Sequence, residues 1–268
     1  MTKHIYLSPH LDDAVLSCGG AIHRHSAAGD QVLVITFLTG EAAAHGVTGI
    51  LSPFALLQHH YWGDPPHPMA LRRAEDMAAL TLLNADWYHV GYLDAVYRAD
   101  ASGRWLYADL ETLLGQAQPG DPLASVQAGL ITQVLGFARH ATDPVIYAPL
   151  GVGRHVDHQI VYAAARQLVS RGCRVAFYED YPYADRPGAS EAALASAGAG
   201  DWRMEVIHLD AADVATQVKA VDYYRSQLGV LFRGAEAMPS QVWGFAASRS
   251  PEAGLAERIW WPRERADG

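Results

Sequence analysis

Residues 5–38 read IYLSPHLDDAVLSCGGAIHRHSAAGDQVLVITFL, and the order of patterns in this stretch decides the fold class. Ile5 to Leu7 is a short apolar run halted by Ser8-Pro9, as expected of a first buried strand. From about Ala14 to His25 the pattern is helical, and Gly29-Asp30 supplies a stop and a turn. Gln31 to Leu38 is apolar and β-branched, which suits a parallel strand buried on both faces. Strand, helix, strand in this order is a βαβ unit.

Outward from this unit the alternation continues. Helices are expected over Ala70–Leu83, Pro122–Arg139, His155–Arg171 and Ala211–Gln227. Strands are expected over Trp87–Val90, Pro144–Ala148, Arg174–Tyr178 and Glu205–Leu209. Thr39 to Met69, which includes LLQHHYWGDPPHP, reads as a long functional loop or lid. Ala184 to Gly200 reads as an alanine-rich surface excursion, and Trp260-Trp261 lead into a charged, frayed tail. No internal repeat or linker divides the chain, so residues 1–268 are expected to form one α/β domain. Its sheet should be open, mainly parallel and covered by helices on both faces.

Composition narrows the partners. Half of the 268 residues are hydrophobic and 18% are charged, so a continuous core is expected rather than disorder. The 20 basic and 29 acidic side chains leave a net charge of −9, with no basic run. Nucleic acid and anionic membrane surfaces are therefore poor partners. Cys18 and Cys173 form no C-x-x-C pair, which suits a reducing compartment. The apolar stretch at Ile5–Leu7 is too short for a signal-peptide core. A soluble, cytoplasmic protein is expected, and a homo-oligomer is compatible with all of this.

Two motifs concentrate the chemistry. In SPHLDDAVLSCGG (residues 8–20), His10, Asp12 and Asp13 follow the first strand. In PLGVGRHVDHQIV (residues 149–161), Arg154, His155, Asp157 and His158 follow the PVIYA strand at a helix start. Both lie past the carboxyl ends of parallel strands, where open α/β sheets place ligands. A hydrolytic zinc ion takes three ligands from histidine and carboxylate and keeps a position for water. His10 and Asp13, spaced i, i+3, can aim at one point, while Asp12 points elsewhere and is free to accept a proton. Of His155 and His158, one can bind metal while the other faces a substrate carbonyl. Asp157 can hold a ring N–H of His155 and fix its tautomer.

At these residues the chain resembles the LmbE-like, or PIG-L, deacetylases, which share (P/A)-H-P-D-D near the N-terminus and H-P-D-H mid-chain. The resemblance spans most of the chain. SCGG looks like the family's small-residue helix start, Arg72 and Glu75 match an R-x-x-E helix, and KAVDYYRSQ (Lys219 to Gln227) is similar to a later family helix. The resemblance implies a Rossmann-like fold and hydrolysis of an N-acetylglucosaminyl conjugate, usually with zinc, other divalent transition metals being possible. It implies His10, Asp13 and His158 as metal ligands, Asp12 as general base, and His155 as the electrophilic or acid partner. Leu11 and Val156 replace the usual prolines. Gly153 stands where some members carry a tyrosine that assists at the developing oxyanion.

The expected activity is removal of an acyl group, acetyl by resemblance, from an amino-sugar-like small molecule. Arg72, Asp94 and Arg98 are candidate substrate contacts, each weighed against an ordinary ion pair. A substrate role for Glu179, Asp180 and Tyr183 is set against loop ordering, and Tyr224 and Gln227 read as packing or interface residues. Trp62 is a candidate sugar-stacking platform. His59, His60 and His67 read as solvent-facing loop histidines rather than a second metal site, and Cys18 as buried packing. A nicotinamide enzyme is disfavoured because no G-x-G-x-x-G follows the first strand. A metallophosphoesterase generally wants two metals. The main alternative is a non-catalytic sugar- or metal-binding module of the same fold, which needs neither Asp12 nor His155.

Overall fold

The computed structural model describes residues 2–47, 51–125, 127–139, 143–197, 202–232 and 234–263. Seven strands form one sheet: β1 Lys3–Ser8, β2 Gln31–Thr36, β3 Asp86–His89, β4 Val145–Pro149, β5 Val175–Tyr178, β6 Trp202–Leu209 and β7 Leu255–Pro262. Their order across the sheet is β3-β2-β1-β4-β5-β7-β6. The first five run parallel, while β7 lies antiparallel between β5 and β6. This is the open, mainly parallel sheet of a Rossmann-like fold. Ile5, Tyr6 and Leu7 are each at most 1% exposed, and each such burial is worth roughly 1.5–3 kcal/mol.

Eleven helices are described: α1 Asp13–Ala27, α2 Pro53–Tyr61, α3 Pro68–Leu82, α4 Leu110–Leu113, α5 Pro122–Ser125, α6 Gln127–Ala138, α7 Val156–Val169, α8 Ala189–Ser196, α9 Ala211–Val221, α10 Arg225–Leu231 and α11 Met238–Arg249. Helix α9 packs against α1, α3 and α11, whereas α6 packs against α7. Right-handed crossovers put these two groups on opposite faces of the sheet. No helix among the described residues is long and apolar enough to cross a membrane.

The small residues of α1 serve this packing. A Cβ on Gly19 would meet Gln217 Cγ at 2.6 Å, and one on Gly20 would meet Glu257 Oε1 at 2.9 Å. That close approach lets the Gln217 amide donate to the carbonyls of Val15 and Leu16. Glu257, wholly buried on β7, accepts from the N–H groups of Gly20 and Ala21.

Several expectations need correction. The supposed lid contains a helix, α2, whose start is capped by Ser52 accepting from Ala55 N–H with Pro53 in the first turn. Residues 48–50 lie outside the described residues. The expected helix over Pro122–Arg139 is helical on both sides of 126, which lies outside the described residues, as α5 and α6. The excursion from Ala184 holds α8, and its end at 198–200 is not described. The expected helix over Ala211–Gln227 stops at Val221, and α10 begins at Arg225. Trp260 and Trp261 belong to β7 inside the sheet rather than to a tail; the charged tail at 264–268 lies outside the described residues.

Candidate active site

The sheet reverses direction of growth between β1 and β4, and there the loops after these strands diverge to leave a crevice. Ser8 shapes the first loop: its hydroxyl donates to the His10 carbonyl and accepts from Ala14 N–H, so the chain turns sharply into α1. His10, Asp12 and Asp13 occupy that turn. In the second loop the His155 ring caps α7, with Nδ1 accepting from Asp157 N–H at 3.2 Å. Asp157 and His158 occupy the first turn of α7 behind it. All six residues are less than a tenth exposed.

The two motifs meet through Asp13. Its Oδ2 lies 3.1 Å from His10 Nδ1 and 3.3 Å from His158 Nε2. Neighbouring ligands of a tetrahedral ion with bonds of about 2.0–2.1 Å stand about that far apart. Ligand atoms of His10, His155 and His158 also gather within 4.8 Å of one another, as do those of His10, Asp94 and Asp157. Asp180 turns His158: its Oδ1 lies 2.7 Å from His158 Nδ1, and its Oδ2 accepts from Gly151 and Val152 N–H at 2.9 Å. Only Nε2 of His158 is left to face Asp13.

The charges of the site separate its carboxylates. Burial pushes the Asp12 carboxyl up to about 7, with Arg72 opposing and Asp13 assisting. Burial acts on Asp13 in the same sense, but His158 and His10 outweigh it and hold Asp13 well below its ordinary value. For His10, burial disfavours charge, yet Asp13 and Asp94 raise the ring well above its usual range. The His158 ring, against the same burial, is pushed up to about 10 by Asp13 and Asp180. Two histidines surrounded so that they demand positive charge, packed on an ionised carboxylate, fit a cation. The donor set of imidazole and carboxylate suits zinc.

His155 has the opposite character. Burial, then the neighbouring His10, holds it well below its ordinary value. Its Nδ1 accepts a backbone N–H, so the ring is neutral with its proton on Nε2. In this form His155 can serve as a neutral donor through Nε2–H. The expected partnership of Asp157 with His155 is corrected. Asp157 Oδ2 stands 4.0 Å from His155 Nδ1 but 2.9 Å from His10 Nε2, and also accepts from Ala95 N–H.

A cavity of about 390 Å³ opens over these groups, lined by His10, Asp12, Asp13, His155 and His158 together with Arg72 and Asp94. Arg72 lies over the Trp62 ring at 5.0 Å, 3.5 Å from Asp12 Oδ2 and 3.9 Å from Asp94 Oδ2, and its Nε has no hydrogen-bond partner among the described residues. Asp94 also accepts from Val96 N–H, ordering the turn after β3. Arg98 does not reach the cavity. It is 2% exposed and held between Asp157 and Asp121, so its expected substrate contact is withdrawn.

Sequence reasoning favoured loop ordering over a role in the crevice for Asp180 and Tyr183. Their signal was position, directly past the end of β5 on the ligand edge of the sheet. Tyr183 lines the cavity edge-on to His158, and its hydroxyl makes no hydrogen bond among the described residues. Gly153, at φ +84°, makes room for it, because a Cβ there would run into the Tyr183 ring. Gln227 also lines the cavity, whereas the Tyr224 hydroxyl donates to buried Asp76. Glu179 binds Arg249 and Trp260 instead. The loop histidines are dispersed: His59 bonds Tyr97, His60 bonds Asp64, and His67 precedes α3.

Comparison with known proteins agrees with this geometry. The sequence profile of the PIG-L family, GlcNAc-PI de-N-acetylase, matches residues 5–169. A 2'-N-acetylparomamine deacetylase from Niallia circulans is 27% identical over 190 residues, 67% of this chain and 66% of that protein. Its namesake from Streptomyces fradiae is 29% identical over 189 residues, 70% of this chain and 60% of that protein. The chain thus matches less than two-thirds of the length of either relative. Two solved structures superpose over the whole of both chains. A deacetylase–bog complex from teicoplanin biosynthesis has a TM-score of 0.83 at 27% identity. The zinc-inhibited form of teicoplanin deacetylase Orf2 has a TM-score of 0.81 at 28% identity. With both family motifs joined at the switch point of the family's sheet, the chain belongs to the PIG-L, or LmbE-like, family.

Proposed function

We propose that this chain is a divalent-metal-dependent amidohydrolase, one domain over its whole length, that removes an acetyl group from the nitrogen of an amino sugar. One observation carries the reading: Asp13 Oδ2 lies 3.1 Å from His10 Nδ1 and 3.3 Å from His158 Nε2, while the adjacent Asp12 faces Arg72 at 3.5 Å, so two neighbouring carboxylates meet opposite surroundings. Pairs of titratable groups whose surroundings split them in this way mark acid–base assignments. His10, Asp13 and His158 would hold the ion, and zinc is the metal the donor set favours. The zinc-inhibited Orf2 neighbour supports a site that takes zinc and leaves another divalent transition metal open as the active ion.

When bound, such an ion supplies Lewis acidity to a water molecule and to the acyl carbonyl. Asp12 removes a proton from the attacking water, a task suited to a carboxylate titrating near the working pH. His155 donates its Nε2–H to the acyl oxygen as that oxygen gains negative charge. Asp12 then returns its proton to the departing nitrogen, the C–N bond breaks, and acetate and a free amine leave. Asp157 takes part by holding His10. Arg72 and Asp94 offer a donor and an acceptor to sugar hydroxyls, with Trp62 beneath the guanidinium.

The mouth of the cavity suits an amino sugar joined to an apolar group, since Leu57, Tyr61, Leu110 and Val230 line it while remaining more than 40% exposed. The test is acetate release by zinc- or cobalt-loaded protein from N-acetylglucosamine, an aryl N-acetylglucosaminide and 2'-N-acetylparomamine. Release from at least one, abolished by chelation, is expected. No release from any, with metal shown to be bound, would leave the binding-module alternative.

A further inference from the structure

We infer that Arg98, backed by Asp121 and Tyr107, is a positioning residue that sets the orientation and tautomer of His10 through Asp157. The inference rests on the metal-site reading above and adds to it a set of groups that never touch the cavity. Asp157 is fully buried, and its two oxygens have different duties. Oδ1 lies 2.6 Å from Arg98 Nη1, while Oδ2 faces His10 Nε2 at 2.9 Å and Ala95 N–H at 3.1 Å. Arg98 is locked in turn: Nε and Nη2 donate to Asp121 Oδ2 at 3.2 and 3.0 Å, and Nη1 donates to the Leu93 carbonyl. The Tyr107 hydroxyl donates to the same Asp121 oxygen at 2.6 Å, and the guanidinium lies 5.2 Å from the Tyr107 ring centre. Asp121 Oδ1 accepts from Leu123 N–H, so this carboxylate cannot rotate either.

The consequence for His10 follows from hydrogen-bond polarity. An ionised carboxylate buried without a counter-charge is costly, and Arg98 is the cation that keeps Asp157 ionised there. An ionised Asp157 only accepts, so His10 must place a proton on Nε2. That leaves Nδ1, the atom 3.1 Å from Asp13, as the nitrogen His10 could offer to a cation, on the side where His158 also arrives. Carboxylates that orient a ligand histidine in this manner typically change metal affinity 10–100-fold when lost. Arg98 lies one ion pair further out, yet by holding Oδ1 it leaves Oδ2 of Asp157 to His10.

The test measures zinc affinity by chelator competition on the full chain for wild type, Arg98→Lys, Tyr107→Phe and Tyr147→Phe. Tyr147→Phe is the control, since it removes a buried hydrogen bond to His4 at the far end of β1. Arg98→Lys should weaken zinc binding about 10-fold or more, Tyr107→Phe should weaken it severalfold, and Tyr147→Phe should leave it unchanged. If wild type binds no zinc, the metal-site reading itself falls. If wild type binds zinc and both Tyr107→Phe and a folded Arg98→Lys stay within about twofold of it, the positioning role is overturned. Should Arg98→Lys fail to fold, Tyr107→Phe decides alone, because it deletes one hydroxyl and keeps the ring under the guanidinium.

Discussion

Asp12 and Asp13 are consecutive in the chain, yet Asp13 lies against two imidazoles while Asp12 has Arg72, 3.5 Å away, as the main offset to its burial. The same degree of burial therefore leaves one carboxylate ionised and the other titrating near neutrality. Division of labour between ligand and base comes from neighbours rather than from residue type.

If Asp12 is the base, kcat/KM should lose about tenfold per pH unit once Asp12 becomes protonated. Its carboxyl titrates at about 7 without a metal, and a bound dication favours the ionised form. The acid limb should thus lie at or below about 7. Asp12→Asn should remove that limb and cost roughly 10²–10⁴ in kcat while zinc affinity is retained. A pH–rate profile with the limb unmoved in Asp12→Asn would assign it to another group.

Asp180 fixes His158 by one oxygen and the Gly151–Val152 backbone by the other. Asp180→Ala should therefore weaken metal binding about 10–100-fold and lower activity in proportion at limiting metal. Saturating zinc should restore most of the rate. Equilibrium binding by chelator competition, set beside kcat at saturation, checks both halves of the expectation.

How far the sequence disclosed this site depends on how local each relationship is. His10–Asp13 and His155–His158 were legible because each pair follows a strand and shares one helical turn. The parallel half of the sheet was legible because β1, β2 and β4 are unbroken apolar runs. β7 was not: Glu257 and Arg258 interrupt its apolar residues, and only the structure shows Glu257 buried against α1. Asp157 was assigned to His155 by proximity in sequence, whereas folding brings His10 from 147 residues away to its carboxylate. Arg98 looked available to substrate because nothing near it in the chain announces Asp121 and Asp157 as its partners.

Gly153 and Tyr183 form a lock that substitution should break. Any side chain at 153 must adopt φ near +84° and push into the Tyr183 ring. Left-handed backbone at a non-glycine residue costs on the order of 1–3 kcal/mol before the collision is counted. Gly153→Ala should lower the melting temperature and reduce kcat/KM by displacing Tyr183 from the cavity wall. Gly153→Ala combined with Tyr183→Ala relieves the collision and should recover part of the stability. A double variant no more stable than the single one would mean that backbone strain alone is responsible.

Glu257 gives a pH signature far from the cavity. Burial pushes its carboxyl from an ordinary 4.5 up to about 8, only partly offset by the N–H groups of Ala21 and Gly20. The folded state thus holds a proton that the unfolded chain releases between those values. Stability contributed by this group is present in full below about 4.5 and declines as pH rises towards about 8, by at most about 1.4 kcal/mol per unit. Other groups titrate in the same range, so the informative quantity is the difference between wild type and Glu257→Gln, which cannot ionise. Denaturant unfolding at pH 5, 6, 7 and 8 should show the glutamine variant gaining on wild type at each step. A difference that stays flat across that range would place an ionised Glu257 in the fold, satisfied by α1 backbone N–H groups alone.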